Sequence, residues 1–169
     1  NNNSIDHPRW LLKNTLQTSV TNRFFSSNAL SYDVADWLNV TYRLGYDTYS
    51  EKQTYEINKG GVAFDTNLLP GAYRTTVSGS TVIDHTVLAT FKKQLNQDID
   101  VNAVVGWNYR SNSFEQTGLE SLGQVVYGLK EHRNFTSTQP KDFRGNQLNY
   151  VRDYSIVGVF FDANLGYKD

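Results

Sequence analysis

Along four stretches of this chain, apolar and polar residues alternate with a period of two. In the clearest, Leu38, Val40, Tyr42, Leu44 and Tyr46 alternate with Asn39, Thr41, Arg43, Gly45 and Asp47. Successive side chains of a strand point to opposite faces, so one face here suits hydrocarbon and the other carries hydrogen-bonding and charged groups. The pattern returns over 80–92, where Ile83, His85, Val87, Ala89 and Phe91 oppose Asp84, Thr86, Leu88, Thr90 and Lys92. It returns again over 98–111, with Ile99, Val101, Ala103, Val105, Trp107 and Tyr109 against Asp100, Asn102, Val104, Gly106, Asn108 and Arg110. A fourth stretch, 150–167, ends with Val157, Val159, Phe161, Ala163, Leu165 and Tyr167 on one face. A less regular strand near 23–32 places Phe24, Leu30 and Tyr32 beside Ser26 and Asn28.

The predicted fold is therefore all-β, an antiparallel meander of about five long strands near 23–32, 37–49, 80–92, 98–111 and 150–167. Connections 33–36 and 93–97 are short. Connections 50–79 and 112–149 are long, and the first is marked by Gly60-Gly61 and Pro70-Gly71. Short and long connections alternate, which gathers the short turns on one rim and the long loops on the other, as in outer-membrane barrels with short periplasmic turns and long extracellular loops. Tyr32, Trp37, Phe91 and Tyr167 fall near short-turn ends, and Tyr46, Tyr49, Trp107 and Tyr109 near long-loop ends. Two aromatic girdles at the membrane interfaces are expected. Arg43, Asp47, Asn102, Asn108 and Arg110 become candidates for lining a lumen, either contacting substrate or bonding to one another and to a plug. Loop aromatics Tyr55, Phe64, Tyr73, Phe114, Tyr127 and Phe135 are candidates for stacking on sugar rings or a partner protein.

A soluble β-sandwich ligand-binding module also alternates, with its apolar face turned inward. Strands of about a dozen residues exceed the usual soluble length of about 5–6, and aromatics at strand ends differ from a sandwich core. Five strands do not close a barrel, since bacterial single-chain barrels have even strand numbers from about 8 upward. Open edges in lipid cost several kcal/mol per orphaned backbone group, so a larger body must complete the sheet. A complete small 8-stranded barrel would need three further strands inside the two long loops.

Among 169 residues the chain contains no Met, even at position 1, and no Cys. The first absence points to a processed product or a piece of something longer, and the second excludes disulfides and thiolate metal sites. A net charge of −1, from 16 basic and 17 acidic residues scattered mostly singly, offers no basic patch for nucleic acid. The mean hydropathy of −0.54 argues against helical membrane spans, which need about 18 or more consecutive apolar residues. A barrel survives that test because every second residue of its strands faces water. No signal peptide is recognisable at the N-terminus. His7, His85 and His132 lack metal-ligand spacing, and no G-x-S-x-G, G-x-G-x-x-G or P-loop sequence occurs, so the sequence supports no enzyme, no metal and no cofactor. The sequons at Asn39 and Asn134 read as chance matches.

Specific words in the chain resemble a known family. The run from Asn22-Arg-Phe-Phe25 through Asp36-Trp-Leu-Asn-Val40, then Arg43-Leu-Gly-Tyr-Asp-Thr-Tyr-Ser50, resembles consecutive strands of SusC/RagA-like TonB-dependent outer-membrane transporters. His7-Pro-Arg-Trp10 is similar to that family's Asn-Pro-aromatic-Trp element, with His7 and Arg9 departing from it. The run from Tyr154-Ser-Ile-Val-Gly158 to Leu165-Gly-Tyr-Lys-Asp169 resembles another of its strands. Two further departures are Asn28 on a face that is usually apolar, and Leu122 to Leu129, which lacks the Pro expected there. The resemblance implies a fragment of a 22-stranded barrel in the bacterial outer membrane, its plug and TonB box lying outside this chain. It further implies that TonB acts through the plug and that glycans or peptides are imported with a SusD-like surface lipoprotein. The remaining partners would be the rest of the barrel, lipid and lipopolysaccharide.

Overall fold

A computed structural model describes residues 7–61 and 70–167. Phe64, Lys168 and Asp169, which enter the expectations above, lie outside the described residues. One antiparallel six-stranded sheet dominates: β1 (Thr15–Ala35), β2 (Leu38–Ile57), β3 (Ala72–Asn96), β4 (Ile99–Gln124), β5 (Phe135–Gln139) and β6 (Tyr150–Tyr167). The strand order is β1-β2-β3-β4-β5, and β6 also pairs with β4. Register in the β4–β5 pair runs from Glu120 opposite Gln139 to Gln124 opposite Phe135.

All five predicted strands are present, and four are longer than the alternation indicated. β1 begins at Thr15, β2 continues to Ile57, β3 begins at Ala72 and β4 continues to Gln124. Strand therefore takes up 50–57 and 72–79 of the first expected loop and 112–124 and 135–139 of the second. The added segments, such as Ser50-Glu-Lys-Gln-Thr54, are polar on both faces, so their backbone ladder carries no period-two hydropathy. Three elements carry no signal in the sequence pattern: β5, a 3₁₀ turn at His132–Asn134, and the helix α1 (Pro8–Asn14), too short to show a helical period. Pro8 fits the first turn of α1, and the Arg9 amide donates to His7 Nδ1 at 3.2 Å.

Two compact units form, each running through parts of several strands. The first comprises 1–22, 49–79 and 114–152, and the second 23–48, 80–113 and 153–169. In the first unit Ile57 and Ala72 make a small core, with Trp10, Tyr55, Leu122 and Phe143 packed on it. Buried amides stitch its connections. Asn134 donates to the carbonyls of Val126 and Leu129 at 2.8 Å and accepts from the Val126 amide at 2.9 Å. That buried side chain is committed to its own loop, which agrees with reading the sequon as chance.

Gly71 closes the connection into β3 with φ +86°. A Cβ there would lie 2.9 Å from both the Lys59 amide and Gln124 Cβ. Gly71→Ala is expected to cost about 1–3 kcal/mol in a urea titration of the refolded protein. Gly60, with φ +99° and open space around it, is the control. Gly60→Ala should cost clearly less, and equal losses would remove the steric part of the argument.

In the second unit the apolar face is laid bare: Phe24 is 61% exposed, Val159 74% and Phe161 70%. Among the described residues no second sheet covers it, which excludes the sandwich alternative. The small-barrel alternative called for three extra strands, and the described residues supply one, β5.

Candidate functional site

Cross-strand contacts in the second unit separate the two faces. On the apolar face Tyr42, His85 and Tyr109 form a row, with ring centroids 6.1 Å apart at each step and the Tyr42 hydroxyl 2.8 Å from His85 Nδ1. Trp107 stacks on Tyr109, and Phe24 lies against Tyr46. At the short-turn end Trp37 stacks on Phe91, with Lys93 Nζ 6.0 Å over the indole. Tyr32 and Tyr167, near the ends of β1 and β6, are exposed. Tyr46, Tyr49, Trp107 and Tyr109 lie well inside β2 and β4, because those strands continue past them. Strand alternation gives Tyr49 the parity of Asp47, opposite to Tyr46, which removes it from the expected girdle face.

The opposite face of this unit carries charge. Arg23 grips Asp47 with two parallel bonds, Nε to Oδ1 at 2.8 Å and Nη2 to Oδ2 at 2.6 Å. Asn108 Nδ2 donates to Asp84 Oδ1 at 3.0 Å, Thr86 Oγ1 at 2.9 Å and the His85 carbonyl at 3.1 Å. Arg110 Nε stands 3.9 Å from Asp84 Oδ2. A depression of about 260 Å³ lies between Arg23, Asp47, Asp84 and Arg110. Of the five candidate lumen residues, Asp47, Asn108 and Arg110 are thus held by neighbours. Arg43 is exposed, and Asn102 Oδ1 is buried with no hydrogen-bond partner among the described residues.

In the first unit Glu120 is completely buried, with Arg74 Nε 2.8 Å from its Oε2. The two are a close ion pair whose alignment falls short of a hydrogen bond. Burial pushes the Glu120 carboxyl above the usual carboxylate range, and the Arg74 charge pulls the other way. Arg74 also lies 5.4 Å over the Tyr55 ring. Beside the pair opens a pocket of about 280 Å³, lined mainly by polar side chains including Gln17, Gln53, Thr76 and Gln116. On β3 and β4 residues of the other parity, His132 bridges two hydroxyls, its Nε2 at 2.8 Å from Thr75 and its Nδ1 at 2.8 Å from Ser121. Burial lowers the affinity of His132 for a proton, and its ring lies 4.7 Å from Tyr73. With both nitrogens so engaged, His132 acts as a brace. Among the described residues no group of three metal-ligating side chains forms, and no helix is long and apolar enough to cross a membrane.

Three solved structures of the RagAB peptide importer or transporter match this arrangement. TM-scores are 0.73 for the "closed-closed" state, 0.74 for a further RagAB structure and 0.76 for the "open-open" state, at 16%, 16% and 17% identity. The matches cover 92%, 95% and 95% of this chain. The chain has the fold of one segment of RagAB. It spans only 17% of the matched RagAB chains, so it corresponds to a fragment of that architecture. No family model matches the sequence, and no curated protein matches it. The SusC/RagA-like resemblance is thereby borne out in fold.

Within that RagAB-like segment, sequence reasoning overlooked Arg23, Asp84, Arg74 and Glu120 as members of ion pairs. Asp84 falls on the polar face of its strand, and that alternation is the available signal. The pairing of Arg74 with Glu120 joins residues far apart in sequence, in stretches that show no alternation.

Proposed function

We propose that this chain is a barrel-wall segment of a TonB-dependent importer in the bacterial outer membrane. In this reading the apolar face of the second unit meets lipid, and the face bearing Arg23, Asp47, Asp84, Asn108 and Arg110 borders a hydrated passage. The long connections stand on the extracellular side, next to lipopolysaccharide and a SusD-like lipoprotein. The rest of the barrel and its plug complete the wall, TonB pulls on the plug, and glycans or peptides are the cargo. One observation carries the reading: a bare apolar face with a cross-strand aromatic row backs a charged face, within a fold shared with an importer. An isolated soluble sheet would aggregate through such a face. In lipid it is the required surface. Paired charges across the wet face contribute little stability, and their effect is to keep the passage hydrated and locally neutral.

The chain's lack of Cys permits a direct test. Single cysteines are placed at Val101, Val159, Arg43 and Asn102 of a parent protein otherwise free of cysteine, in outer-membrane vesicles. A small charged thiol reagent is expected to modify Arg43→Cys and Asn102→Cys, leaving Val101→Cys and Val159→Cys unreacted. Equal reaction at all four positions would refute the face assignment.

A further inference from the structure

The pocket beside Arg74 and Glu120 is a built feature that the wall role does not require. Its lining is Gln17 from β1, Gln53, Thr54 and Tyr55 from β2, Arg74 and Thr76 from β3, Gln116 from β4, and Leu148. Three primary amides and three hydroxyls, of which that of Thr54 is bonded to Thr18, supply both donors and acceptors, with one aliphatic side chain among them. The Gln116 amide donates to the Leu148 carbonyl at 3.2 Å, which ties the pocket edge to the segment preceding β6. Gly118 keeps that edge tight, since a Cβ there would lie 2.7 Å from Thr76 Cγ2 and 3.1 Å from Leu148 Cβ. The single charged lining group, Arg74, already faces the buried carboxylate of Glu120. A charged ligand would therefore be stripped of water with little net charge to receive it. An apolar peptide side chain would find one leucine and the Tyr55 ring, over which Arg74 already lies.

We infer that this pocket is a subsite for one neutral sugar ring of an oligosaccharide. The inference rests on the importer reading and deepens it, by choosing the carbohydrate between the two cargo classes. Each ring hydroxyl both donates and accepts, as do the amide and hydroxyl groups that surround it. The volume, 280 Å³, sits just under the range of about 300–1,000 Å³ typical of ligand pockets, which suits one ring at a time. Arg74, held between Glu120 and Tyr55, acts as a fixed donor that needs no reordering on binding.

The test uses the full parent protein, purified from outer membranes in detergent. Neutral xylo-, malto-, manno- and β-gluco-oligosaccharides and a pool of neutral tetrapeptides are titrated separately by calorimetry. The expected result is binding of an oligosaccharide that Gln53→Ala and Gln116→Ala each weaken about ten-fold. Thr76→Trp, which fills the pocket, should abolish that binding, and Lys52→Ala on the other strand parity should leave it intact. Three results overturn the proposal: sugar binding undiminished in all three pocket variants, loss of tetrapeptide binding alone, or no sugar bound. Heat-modifiable migration of the same samples reports barrel insertion, so an inserted protein that ignores sugars defeats the subsite while leaving the importer reading standing.

Discussion

Arg74→Met is expected to lower the unfolding free energy of the refolded parent protein by about 3–5 kcal/mol near neutral pH, the usual cost of stranding a buried charge. Glu120 has no exposed surface, and the Arg74 guanidinium at 2.8 Å is its counter-charge. Removing that charge leaves a carboxylate to be neutralised by uptake of a proton, which burial already favours. The pH dependence follows from that direction. A carboxyl whose proton affinity is higher in the folded than in the unfolded state contributes stability that is complete below its unfolded pKa and is lost as pH rises through the folded one. The defect of Arg74→Met should accordingly shrink on acidification and grow on the alkaline side. Glu120→Gln removes this titration, and because the Arg74 side chain remains 25% exposed, it should cost less. Urea midpoints at several pH values read both effects. An Arg74→Met loss below about 1 kcal/mol, far under the range for a broken buried pair, or one that is flat with pH, would contradict the account.

The second large effect belongs to the bilayer. Val101→Arg should cost about 2–4 kcal/mol when the protein is unfolded from lipid, if Val101 lies near the midplane. Val101 shares the face of Val105, Trp107 and Tyr109 on β4, whereas its neighbour Asn102 shares the face of Asn108 and Arg110. Asn102→Arg should cost much less, as a lumen-facing change. Two adjacent positions with the same new side chain make the comparison nearly independent of strand propensity. Matching costs would place neither face in hydrocarbon.

What the sequence disclosed depended on where one side of a strand was apolar. Leu38 to Tyr46 and Ile99 to Tyr109 were readable because every second residue is greasy, and the ion pairs of the opposite face lie on the positions that this alternation marks. Past Tyr49 and past Arg110 the apolar residues thin out, to Tyr55 and Ile57 in β2 and Phe114, Leu119 and Leu122 in β4. A hydrogen-bonded ladder then leaves no trace in hydropathy, and these segments read as loop. The helix from Pro8 to Asn14 is too short for its period to register, and β5 acquires its identity from pairing with Glu120 to Gln124. Partnerships such as Arg23 with Asp47 or Arg74 with Glu120 are set by strand register, which composition does not encode.

Strands of 20, 25 and 26 residues in β2, β3 and β4 far exceed the roughly 9–11 that crossing a bilayer takes. If the chain walls an importer as proposed, the surplus means that the groups nearest an arriving molecule hang from backbone frozen in advance. Capture there would forfeit little chain entropy, unlike capture by a floppy fringe. Such a rim is retuned most cheaply by exchanging single side chains on a constant frame, so homologues with different appetites should diverge in residue identity before they diverge in length.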